Sequence, residues 1–131
     1  MAHVFISYKR DTPSKRLVGA MSGYLNGAGF EPWIDTAELQ AGEDWREAID
    51  QAIRDALAVI VVLTPDAVAS QYVTYEWAFA FGVGKDVIPI LHKDAQLHPR
   101  LIGRHYLDFT HSPYPWKALI ARLVQIRDEK R

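Results

Sequence analysis

At 131 residues, with 49% hydrophobic and 24% charged side chains, the chain has room for one domain with a real core and too little for two, and its composition excludes the disordered class. A formal charge of −1 argues against a nucleic-acid binder, which gathers a surplus of Lys and Arg against phosphate. The absence of cysteine removes disulfides, thiolate metal sites and Cys nucleophiles together, and suits a reducing cytosol.

The longest aliphatic run, Ala56 to Leu63, is far too short to span a bilayer, and the start MAHVFISYKRD lacks the apolar stretch of a signal peptide. A cytoplasmic location, no membrane contact and a single domain over 1–131 are therefore the expectations.

In chain order, a β-branched run over His3 to Tyr8 predicts the first strand. Arg16 to Leu25 follows as a helix with Leu17, Ala20, Met21, Tyr24 and Leu25 on one stripe, stopped by Gly27 and Gly29. A second strand covers Glu31 to Ile34, with Trp33 at the core edge. Trp45 to Ala56 reads as a helix with Trp45, Ala48, Ile49, Ala52, Ile53 and Ala56 inward and a capping box from Asp44 and Glu47. Leu57 to Leu63, apolar throughout, predicts the central strand. Ser70 is a natural N-cap for a helix to Phe81, ended by Gly82 and Gly84. Val87 to Leu91 and a weaker Tyr106 to Phe109 complete the strands, and Trp116 to Arg127 the helices.

Strands alternating with helices imply an α/β fold, a flavodoxin-like five-stranded parallel sheet with helices on both faces. Ligands of such sheets bind beyond the carboxyl ends of the strands, which directs attention to 7–11, 35–44, 64–70 and 92–100. Within the helix after Ser70, Glu76 is the one charged residue, with Tyr72, Tyr75, Trp77, Phe79 and Phe81 nearby in sequence. A carboxylate among rings is partly desolvated, and a cationic ligand would give it both a partner and a task; the alternative is an exposed helix Glu.

Several signatures fail on context. Gly27 and Gly29 end a helix and precede a strand, the reverse of a dinucleotide cradle. Gly82, Gly84 and Lys85 imitate a phosphate loop without the strand before it or the hydroxyl after it. A phospho-receiver needs acidic residues where this chain has SYKRD and LTPD. The histidines at 3, 92, 98, 105 and 111 show no metal-ligand pairing, so no metal is expected. No Ser occupies a nucleophile elbow.

Four blocks, VFISYKRD, GFEPWIDTAELQAGEDW, VIVVLTPDAVAS and SQYVTYEWAFAFGVGKDVIPIL, together resemble the TIR (Toll/interleukin-1 receptor) domain over nearly the whole chain. That family contains both scaffolding adaptors and enzymes that cleave NAD, so the fold cannot choose between them. Adaptors typically carry a proline in the loop after the second strand and an FW pair near the last helix; LQAG and PWKAL depart from both. The resemblance thus implies the enzymatic branch, with NAD+ as substrate, no further cofactor, and Glu76 as the catalytic residue.

By the same resemblance Lys9 and Arg10 match a basic pair near the substrate phosphates, and Ser7 and Tyr8 line the pocket floor. Lys9 has the alternative of a solvated turn paired with Asp11, and Tyr8 of simply ending its strand. Tyr72, where the family more often has Trp, shares a helix face with Glu76 and either stacks on a ring of the substrate or packs on the neighbouring helix. Loop 35–44, with Asp35, Leu39 and Gly42, closes over the site and meets other TIR domains in self-association. Trp45 reads as core before contact surface. Prokaryotic relatives of this type act in immune or antiphage signalling, usually fused to a sensor.

Overall fold

The strand with no polar residue takes the centre: β3 (Ala58–Leu63), AVIVVL, is buried at every position. A computed structural model describes residues 1–34 and 44–130, the side chains of Asp44 and Trp45 excepted. Strands β1 (Ala2–Ser7) and β4 (Asp86–Leu91) flank β3, with β2 (Phe30–Ile34) outside β1 and the short β5 (Leu107–Asp108) outside β4. All pairings are parallel, with Phe5 opposite Val59, Val59 opposite Val87 and Leu91 opposite Asp108. A parallel sheet of this kind needs cover on both faces, and the chain provides it.

Helices α1 (Thr12–Gly27) and α6 (Trp116–Glu129) cover one face, where Met21, Leu25, Leu119 and Leu123 meet Val4, Ile6, Ile60 and Ile88. The other face carries α2 (Asp44–Asp55) and α4 (Gln71–Gly82), with Ile49, Ile53, Val73 and Trp77 against Phe5, Val59 and Val61. Alternate residues of β1 and β3 thus feed two separate cores, as the period of a strand requires. Each such side chain contributes about 1.5–3 kcal/mol of burial. Trp33 stacks on Phe5 with centroids 4.9 Å apart, at the edge of the core as expected.

Departures from the sequence reading have local causes. Helix α1 starts at Thr12 because the Asp11 carboxylate accepts from the Ser14 N–H at 2.9 Å, and Pro13 occupies the first turn where its missing N–H costs nothing. Asp11 is therefore a cap, and no Lys9–Asp11 ion pair forms. The buried stripe is Ser14, Leu17, Val18, Met21 and Leu25; Ala20 and Tyr24 fall outside it, and Tyr24 instead stacks on Trp116 at 4.5 Å.

In α2, Ile49 and Ile53 point inward while Ala48 is exposed. The expected Asp44–Glu47 capping box and the place of Trp45 lie outside the described side chains. Two short helices occupy segments expected to be loops, α3 (Pro65–Ala69) and α5 (Pro99–Ile102). Each opens with a capping side chain followed by proline, Thr64 then Pro65 and His98 then Pro99. Ser70 caps α4 as the sequence predicts, its hydroxyl accepting from the Val73 N–H at 3.3 Å. Among the described residues no helix is long and apolar enough to cross a membrane.

Candidate active site

Strand alternation sends Phe5 to the α2/α4 face, Ile6 to the opposite core, and Ser7, the last residue of β1, back toward α4. There its hydroxyl donates to Glu76 Oε1 at 2.6 Å. Glu76 is 2% exposed and Ser7 fully buried, although 69 residues separate them in the chain. A carboxylate taken out of water is costly without a donor, and a short charge-assisted hydrogen bond of this kind is the compensation. The pair stands at the carboxyl end of β1, the edge at which such sheets hold ligands.

The rings near Glu76 in sequence do not close around it as one niche. Successive helical residues turn by about 100°, so residues four apart share a face and adjacent ones do not. Tyr75 and Phe79 turn toward α2: the Tyr75 hydroxyl donates to Asp50 Oδ1 at 2.6 Å, its ring stacks on Phe79 at 5.9 Å, and the Arg46 guanidinium sits 5.5 Å from its centroid. Burial, and then the hydrogen bond to Asp50, raise the Tyr75 pKa above its usual value. Trp77 and Phe81 turn the other way, packing edge to face at 5.8 Å, and His98 lies 5.3 Å from Trp77. Glu76, between them in the chain, reaches Ser7 at the end of β1.

Tyr72, one turn before Glu76, is 44% exposed. With Arg46, Gln71 and Tyr75 it lines an open cleft of about 350 Å³ between α2 and α4. Lys9 and Arg10 follow Ser7 at the same sheet edge, both half-buried, with the Arg10 guanidinium 6.0 Å from the Tyr8 ring centroid. Tyr8 itself leans away from Ser7, onto the core under α1 and α6. Asp35, Leu39 and Gly42 lie outside the described residues.

His92, directly after β4, stands at this edge too. Its backbone N–H donates to the Leu63 carbonyl at 2.9 Å and its ring meets Tyr114 edge-on at 6.2 Å. Nδ1 is buried without a hydrogen-bond partner among the described residues. Burial and then the neighbouring Lys93 lower its pKa, with Asp11 acting weakly in the opposite sense. Among the described residues no group of three or more His, Asp or Glu is placed to hold a metal ion.

A five-stranded parallel sheet in this order, with a buried carboxylate at its carboxyl edge, defines a class, and a family model described as TIR domain matches residues 4–124. The chain belongs to the TIR domain family. It is 31% identical over 93 residues, 68% of its length, to the 2' cyclic ADP-D-ribose synthase BtTIR of Bacteroides thetaiotaomicron, and spans 32% of that relative's length. Its fold is similar to the TIR domain of the Toll-related receptor TRR-2 from Hydra magnipapillata, with a TM-score of 0.78 at 22% identity over 92% of this chain and 97% of that one. It is also similar to the RPS4 and RRS1 TIR domain heterodimer, with a TM-score of 0.61 at 15% identity over 98% of this chain and 95% of that one.

Proposed function

We propose that the chain is an NAD+ nucleosidase, breaking the bond between nicotinamide and ribose to release nicotinamide with ADP-ribose or a cyclic isomer. The observation that carries this reading is the Ser7–Glu76 pair, a carboxylate 2% exposed at the ligand edge of the sheet and oriented by a hydroxyl 2.6 Å away. The 31% identity to a synthase of cyclic ADP-ribose supports it.

The chemistry fits a site with one acidic group. Nicotinamide is cationic while bonded to ribose and leaves neutral, so no general acid must protonate it. Ordinary glycosidases need two carboxylates for want of that advantage. As the bond breaks, positive charge develops at the anomeric carbon, and the Glu76 carboxylate stabilises it in a site poor in water. Ser7 is a positioning residue, its hydroxyl donating to Oε1 and fixing the orientation of the carboxyl group. Lys9 and Arg10 hold the pyrophosphate at the edge of β1. Tyr72, with its ring exposed in the α2/α4 cleft, stacks on the base or on the departing ring. NAD+ is the substrate, and no separate cofactor is needed.

Loop 35–44, through Asp35, Leu39 and Gly42, closes over the site and takes part in self-association with other TIR domains. The domain works in the cytoplasm in immune or antiphage signalling, as one part of a longer sensor-fused protein. The alternative is a non-catalytic TIR–TIR interaction module, favoured by the likeness to a TIR heterodimer. Concentrated protein incubated with NAD+, with free nicotinamide as the readout, separates the two. The enzyme releases nicotinamide and Glu76→Ala loses about 10²–10³-fold, the equivalent of about 3–4 kcal/mol. An interaction module releases none in either form.

A further inference from the structure

Behind the catalytic helix, on the side of α4 turned away from β1, lies a cavity of about 380 Å³. Its walls include Leu63 at the end of β3, Val68 of α3, Trp77 of α4, and Leu97 and Leu101 around α5. Glu76, Ser7 and Tyr72 are not among its lining residues. Leu63, Trp77 and Leu101 are buried, whereas Val68 is 38% exposed at the rim. The volume falls in the range of small-molecule sites, and the position is the carboxyl edge of β3 and β4.

Its lining specifies a ligand class. Largely apolar walls with no charged side chain among the described lining residues disfavour an ion, and a tryptophan in the wall favours a flat ring. The polar groups are Thr74, Gln96 and His98. His98 Nδ1 accepts the Arg100 N–H at 3.2 Å, which leaves the proton of the neutral imidazole on Nε2 as a donor. An uncharged ring bearing a carbonyl acceptor satisfies both features at once.

We infer that this cavity is a second binding site, separate from the Glu76 site, for a neutral aromatic carboxamide. The class follows from the lining; the choice of nicotinamide as its member rests on the function proposed above, where that amide is the neutral leaving group. Thr74 and Trp77 flank Glu76 on α4, so an occupant presses on the helix that carries the catalytic carboxylate.

The test is titration of the ¹⁵N-labelled protein with nicotinamide, following the four tryptophan indole N–H signals, with Trp77→Phe to assign the relevant one. The expected result is a saturable shift of the Trp77 signal, retained in Glu76→Gln, and weakened about tenfold in His98→Leu and in Val68→Phe, which fills the cavity from its exposed rim without touching the core. No saturable shift, a shift lost in Glu76→Gln, or one unchanged in both His98→Leu and Val68→Phe overturns the site. Saturable binding here by a protein that cleaves no NAD+ would remove the enzymatic reading and leave this one standing; cleavage without this binding does the reverse.

Discussion

Ser7 and Glu76 meet at 2.6 Å from the end of β1 and the middle of α4, both buried, across 69 residues of chain. The bond joins the sheet to the helix, so its loss takes a donor away from a buried carboxyl group. Ser7→Ala should cost about 1–3 kcal/mol in urea unfolding at neutral pH. Ser7→Thr, which keeps the hydroxyl, should recover part of that. A Ser7→Ala protein as stable as the wild type would show that the hydrogen bond does not hold the carboxylate.

Glu76→Gln tests the opposite side of the same pair. A neutral amide of the same size still accepts from Ser7, so stability is expected to stay close to that of the wild type. Activity should nevertheless fall about 10²–10³-fold, because the amide cannot offset the developing cation. Thermal unfolding and nicotinamide release on the same preparation decide it. A destabilised, inactive Glu76→Gln would mean that the carboxylate serves the fold and not the chemistry.

Tyr75 ties α4 to α2 one residue before Glu76. Tyr75→Phe keeps the stacking on Phe79 and removes the bond to Asp50, at an expected cost of about 0.5–1.5 kcal/mol. The hydroxyl also carries a pH signature. Its folded pKa lies above 10.0, raised by burial and then by Asp50, so the native state holds the proton more tightly than the unfolded chain. Stability should therefore fall as pH rises from 10 toward the folded pKa, and that slope should be shallower in Tyr75→Phe, measured by urea unfolding at stepped alkaline pH.

Much of the architecture is legible in the residues, and what is not has definable causes. The all-apolar run at 58–63 places the central strand, and Ser70 announces α4. Thr64–Pro65 and His98–Pro99 carry the cap-then-proline signal of α3 and α5, but helices so short leave no periodicity to confirm it. The candidate site is harder. Glu76 stands out as a lone charge among rings, and Ser7 lies at a strand end, yet nothing local says that the two touch. Sequence neighbours also mislead: Tyr75 and Trp77 adjoin Glu76 in the chain and turn to α2 and α5 in space. The Tyr75–Asp50 bond spans 25 residues with no signal at either end.

His92 supplies the last prediction, at mildly acidic pH. Burial first, and Lys93 second, lower its folded pKa below the 6.5 of the unfolded chain, with Asp11 opposing. The unfolded state therefore binds the proton more readily, and stability should decline as pH falls through 6.5 toward the folded value. Above that window the ring is neutral and packs edge-on against Tyr114. His92→Phe keeps an aromatic ring beside Tyr114 and cannot titrate, so urea midpoints at pH 7.5 and pH 5.5 should lie closer together than in the wild type. Equal displacement of both proteins over that interval would assign the acid sensitivity to other groups and leave His92 as packing alone.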